Sequence, residues 1–83
     1  MRENVSIVAL IEIRAEDVSR VRAAVEDEEY VEAFYELVGR FNIGIIVEVK
    51  TQHILFETVM KKIRKIPGVH ETKTHLIQNG MVL

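Results

Sequence analysis

Eighty-three residues make one small domain, and the absence of cysteine leaves it without a disulfide or a cysteine-based metal site to staple a modest core. A formal charge of −2 argues against a dedicated nucleic-acid binder, and no apolar run approaches the ~20 residues of a membrane span. With 48% hydrophobic residues and so little core, self-association is the expected source of extra stability, and with no secretion-type cleavage site the expected compartment is the cytoplasm.

Val5 to Ile13 read as the first strand. Its odd positions (Val5, Ile7, Ala9, Ile11, Ile13) are all apolar and its even positions (Ser6, Val8, Leu10, Glu12) are mixed, so one face is buried and the other partly so. Glu16 to Glu26 read as the first helix, with Val18, Val21 and Val25 on one stripe, Glu16 and Asp17 at the positive end of the dipole, and a Glu16–Arg20 pair at i,i+4. The acidic run Glu26-Asp27-Glu28-Glu29 opposes the dipole at the other end and marks the exit. The second strand covers Tyr30 to Val38, with Val31, Ala33, Tyr35 and Leu37 expected on the core face. Gly39, Arg40 and Asn42 form a tight loop, since Gly and Asn tolerate positive φ. The third strand, Ile43 to Val49, again places its apolar set on odd positions. A two-residue loop would set odd opposite even, so a loop of odd length or a bulge is expected.

Thr51 is the expected N-cap of a second helix ending near Lys65, with a stripe of Phe56, Val59, Met60 and Ile63. Lys61, Lys62, Arg64 and Lys65 complement the dipole in its last turn, and Pro67-Gly68 stops it. Val69 to Ile77 form a more polar fourth strand, ended by a turn or a frayed tail at Asn79-Gly80. The halves repeat: the run from Ile7 to Arg14 matches the run from Ile43 to Lys50, each followed by a helix and a strand. Two such halves joined by a short link give a ferredoxin-like α+β fold, β-α-β-β-α-β, with an antiparallel sheet ordered 4-1-3-2 and both helices on one face. The open face would carry Ser6, Val8, Leu10, Phe34, Val38 and Ile46. Burial of each large side chain contributes about 1.5–3 kcal/mol, so a face-to-face homodimer, a dimeric α+β barrel with Val8, Leu10, Phe34, Val38 and Ile46 at its interface, is expected.

With that order in place, two segments stand out: Tyr35-Glu36-Leu37-Val38-Gly39-Arg40-Phe41-Asn42 and Ile66-Pro67-Gly68-Val69-His70-Glu71-Thr72-Lys73-Thr74. In these the chain resembles the effector-binding RAM domain of the Lrp/AsnC transcriptional regulators, whose hairpin reads aromatic, Gly-x-aromatic-Asp and whose last strand follows Pro-Gly-Val with Thr-x-Thr. The resemblance implies a dimer through the sheets, dimers assembled into rings, and amino acids bound between dimers beside the hairpin. Gly39, Arg40, Phe41, Asn42, Thr72 and Thr74 are then the candidate ligand-binding residues. Because the first strand starts so near Met1, residues 1–83 are expected to be a single ligand-binding domain without a helix-turn-helix module. Stand-alone members act as amino-acid sensors or as partners of full-length regulators.

An amino-acid carboxylate would be received by backbone N–H groups near Gly39 and by the Arg40 guanidinium. The ammonium needs an acceptor, which the family Asp supplies and Asn42 here replaces. A hydrogen bond to a charged group contributes about 1.5–3 kcal/mol against about 0.5–1.5 for a neutral pair, so weaker binding, or a ligand other than a standard α-amino acid, is expected. Phe41 is either a lid over the ligand or a plug between dimers. No cofactor or metal is expected: His53, His70 and His75 are scattered, and His70 and His75, five apart, point to opposite faces of a strand. Glu12 and Glu48 share a strand parity near strand ends, where they are either an acid/base pair or solvated carboxylates, and the alternative to a binding module is an enzyme of the small α+β barrel kind, monooxygenase or isomerase. Such an enzyme needs a polar group beneath the helices, and Tyr35 is the only one on the expected core faces, which favours binding over catalysis. A purely structural assembly module is the remaining alternative. Neither nucleic acid nor membrane is an expected partner.

Overall fold

The computed structural model describes residues 6–78. Over these the chain forms β1 (Ile7–Ala15), α1 (Val18–Val25), β2 (Val31–Glu36), β3 (Ile43–Val49), a second helix α2 over 52–64, and β4 (Val69–Ile77). Val5 and the Asn79-Gly80 turn lie outside the described residues. The sheet is antiparallel with order β2-β3-β1-β4, the expected 4-1-3-2 read from its other edge. The element order and sheet are those of the ferredoxin-like fold.

The helices start where their caps place them. Asp17 is the N-cap of α1, its carboxylate accepting from the Arg20 backbone N–H at 3.2 Å. Glu16 therefore falls before the helix rather than in its first turn. Its backbone N–H donates to Gly68 O at 2.9 Å, and its side chain meets His70 instead of Arg20. Thr51 caps α2 as expected, accepting from the Ile54 N–H at 3.0 Å. Within α2, Gln52–Ile54 and Met60–Arg64 are α-helical, and Leu55–Val59 between them is a π-helical turn. A wider turn takes more residues to come round to the same face. The residue one turn before Val59 and Met60 is thus Leu55, which is fully buried, while Phe56, expected there, is 38% exposed.

The core lies between the sheet and the helices. Ala9, Ile11 and Ile13 of β1 and Ile43, Ile45 and Val47 of β3 meet Val21 and Val25 of α1 and Leu55, Val59, Met60 and Ile63 of α2. Among the described residues no polar or charged side chain is buried with them.

The second strand departs from expectation. Its last ladder pair is Glu36 with Ile43, and the loop between spans six residues, an even number, closed by Leu37 N–H donating to Asn42 O at 2.9 Å. Even therefore faces odd: Phe34 lies opposite Ile45 on the helix face, with the Arg22 guanidinium 6.0 Å from its ring centroid. Phe34 is thus no part of the open face where it was expected. Ala33 and Tyr35, opposite Ile46 and Gly44, lie on the open face and not in the core. A bulge between Val31 and Ala33 restores odd-to-odd pairing, so of the expected core set only Val31 keeps its place. Val38 is in the loop, fully exposed, rather than in the sheet. Leu37 folds over the open face: a methyl at Gly44 would lie 3.1 Å from Leu37 Cδ1, so Gly44 is the space into which Leu37 packs beside Leu10.

Candidate functional site

Antiparallel pairing brings the end of β1, the start of β4 and the β2–β3 loop to one end of the sheet. Gly39 holds φ at +142°, a conformation L side chains rarely adopt, and no atom lies within 4 Å of where its Cβ would be. Its glycine is required by the backbone and not by crowding. Phe41 is half-buried and Arg40 exposed.

Asn42 docks the loop onto β1. Its backbone N–H donates to Ile13 O at 3.0 Å, its Oδ1 accepts from Ala15 N–H at 3.0 Å, and its Nδ2 donates to Ala15 O at 2.8 Å. The side-chain amide thus acts as a missing ladder partner for the last residue of β1. An amide supplies the donor and the acceptor this requires, whereas an aspartate supplies only acceptors and would face the Ala15 carbonyl oxygen. The amide expected to meet a ligand ammonium is already engaged with Ala15 through both its atoms.

Arg40 is engaged as well. Its Nη2 donates to Glu71 Oε1 at 2.8 Å, and Arg14 Nε donates to the same oxygen at 3.3 Å. Burial pushes the Glu71 carboxyl up, but hydrogen bonds from Arg14 and Arg40, with their charges, hold it below the usual carboxylate range. Beside this knot, between the last turn of α2 and the start of β4, is a cleft of about 290 Å³ lined by Arg64, Val69, His70, Glu71 and Thr72. His70 Nε2 lies 2.7 Å from Glu16 Oε2.

Of the candidate residues, Gly39, Arg40, Phe41 and Asn42 share the loop, and Arg40 reaches the cleft through Glu71. Thr72 lines the cleft. Thr74 does not: it lies opposite Ile11 on the helix face and its hydroxyl donates to Met60 Sδ at 3.4 Å, beneath α2. Glu71 and Arg64 were missed. The register sets Glu71 directly across from Arg14, an opposite-charge cross-strand pair, whereas the strand order 4-1-3-2 makes β1 and β4 neighbours without fixing which residues face each other. Glu12 and Glu48 do not converge: they lie opposite Gly44 and Val8, about 13 Å apart along the strands, and Glu12 instead meets His75 Nε2 at 2.8 Å. Among the described residues no three His, Cys, Asp or Glu side chains group as metal ligands.

Residues 6–82 match the family model of the Lrp/AsnC ligand binding domain. The chain belongs to this family. No curated protein is similar to it at a significant level. Among solved structures, TTHA0845 from Thermus thermophilus superposes with a TM-score of 0.81 at 24% identity, over 93% of this chain and 99% of that one. Escherichia coli AsnC superposes with a TM-score of 0.73 at 22% identity over 100% of this chain and 62% of its own. The feast or famine regulatory protein Rv3291c from M. tuberculosis, complexed with L-methionine, gives a TM-score of 0.77 at 26% identity over 93% of this chain and 53% of its own. The chain thus spans about half to three-fifths of the length of those two regulators and nearly all of the Thermus protein.

As an Lrp/AsnC ligand-binding domain the chain is a regulatory, effector-binding kind of module, and its fold leaves two further surfaces. The open face of the sheet carries Val8, Leu10 and Ile46, half-buried, with Tyr35, Leu37 and Ile77 more exposed. A second cleft, about 390 Å³, lies at the opposite end of β1 and β4 and is lined by Ser6, Ile7, Gln52, Leu76, Ile77 and Gln78, with no ionisable side chain. Among the described residues no helix is long and apolar enough to cross a membrane.

Proposed function

We propose that this Lrp/AsnC ligand-binding domain senses an amino acid or a related small molecule at the loop end of its sheet and transmits binding through self-association. The observation that carries the reading is the loop of residues 37–42, pinned across the ends of β1 and β4 beside a cleft holding a cation, an anion and a hydroxyl. These are the groups that a carboxylate and an ammonium require. The ligand surface is formed by Gly39, Arg40, Phe41 and Thr72 with Glu71, while Asn42 positions the loop. A complex of the related Rv3291c with L-methionine supports an amino acid as the class of effector.

The open face supplies the self-association. Val8, Leu10 and Ile46 form its central strip, flanked by Tyr35 and Leu37, and a second copy laid face to face removes that surface from water. Val38, at the loop tip, faces neighbouring dimers in a larger ring. The module acts in the cytoplasm, alone or by joining full-length regulators of its family. Native mass spectrometry of the purified chain, with and without a mixture of amino acids, tests this. A dimer or a multiple of it, carrying an added amino-acid mass, is expected. A monomer at micromolar concentration that takes up no amino acid overturns the reading.

A further inference from the structure

We propose that the cleft selects an acidic amino acid, an α-amino dicarboxylate. The inference rests on the effector-binding reading above and names the ligand class of that same site. Arg64, His70 and Glu71 line the cleft, Arg14 and Arg40 are bonded to Glu71, and Glu16 is bonded to His70. Three guanidiniums thus stand against two carboxylates, which leaves one net positive charge. The chain as a whole carries −2, so this end of the sheet has the sign opposite to that of the molecule and draws anions. The C-terminal end of α2 is itself partially negative, but Arg64 and Lys65 stand there, and neither is engaged in an ion pair among the described residues.

The head groups sort by chemistry. Arg64 presents a planar fork that matches a carboxylate. Glu71 is kept ionised by its two arginines, both of which bond Oε1, so Oε2 remains to accept from an ammonium. A neutral amino acid satisfies these two and leaves the excess positive charge unmatched. A second carboxylate matches it, whereas a cationic side chain adds to it, so the site discriminates by repulsion as well as by attraction. A volume of about 290 Å³ lies just below the range for drug-sized ligands, which suits one small molecule rather than a peptide.

Calorimetric titration of the full chain with L-aspartate, L-glutamate, L-methionine, L-leucine and L-lysine tests the inference. The acidic pair is expected to bind about tenfold more tightly than the neutral pair, with lysine weakest, and the preference shrinks as salt rises. Arg64→Gln, at an exposed position, is expected to bring the acidic ligands to the neutral level with an unchanged circular dichroism spectrum. Neutral or basic ligands binding as tightly as acidic ones, or a preference that survives Arg64→Gln, overturns the acidic class and leaves the effector reading standing. No binding by any of the five overturns the acidic class, and the effector reading falls with it only when the amino-acid mixture also leaves no added mass on the chain.

Discussion

The two central strands and the two edge strands of this sheet are built under different constraints. β1 and β3 are paired on both sides and covered by both helices, and their odd residues from Ala9 to Ile13 and from Ile43 to Val47 are fully buried. β2 and β4 each have a free edge. β2 absorbs a bulge that sends Phe34 to the helices and Tyr35 to the open face, and β4 alternates threonines with charged residues. A slip of register in β1 or β3 would turn an entire core outward, so those strands are held to period two. The edges are free of that demand, and there the charged groups collect.

The largest effect expected from breaking this division is in the centre. Ile11 and Ile45 face each other, both fully buried, so Ile11→Ala is expected to cost about 2–5 kcal/mol in urea unfolding. Leu76→Ala, on the edge strand at 43% exposure, is expected to cost well under half as much. Next comes the joint between loop and centre. Asn42→Asp removes the donor to Ala15 O and sets a carboxylate against it, with an expected loss of about 1–3 kcal/mol in the same assay. An unchanged midpoint would show that the amide does not hold the loop.

The smallest effect is a pH dependence at the edge. Glu71 has a folded pKa held below its unfolded value, so it binds fewer protons when folded. Its contribution is present above the ordinary carboxylate pKa and is lost as pH falls through the depressed value. Glu71→Gln is therefore expected to lower stability slightly at neutral pH, to leave it unchanged in acid below the depressed value, and so to flatten the acid limb of the stability curve, as followed by thermal melts between neutral and acid pH.

The same division explains what was legible in the sequence. Strict alternation in Ile7 to Ile13 and Ile43 to Val49, with the repeated run into each helix, was enough for the element order and sheet topology. The bulge between Val31 and Ala33 was not legible at its position, because a charged Glu32 between two apolar residues fits an unbroken alternating strand as well as it fits a bulge, and so the faces of Phe34 and Tyr35 were misplaced. The π-helical turn was hidden for a like reason: Leu55 and Phe56 are both apolar, and only the width of the turn chooses between them. At the site, the loop around Gly39 stood out by composition. The role of Asn42 did not, since its partner Ala15 offers only backbone groups, which no side-chain pattern reveals.

The claim that function sits at the charged end of the sheet is tested most directly by hydrogen–deuterium exchange of the full chain, with and without a mixture of the standard amino acids. The account predicts slowed exchange in residues 37–42 and 69–72 on addition of the mixture, with residues 76–78 at the opposite cleft unchanged. Protection confined to that opposite cleft, or none in the loop and the start of β4, would contradict it.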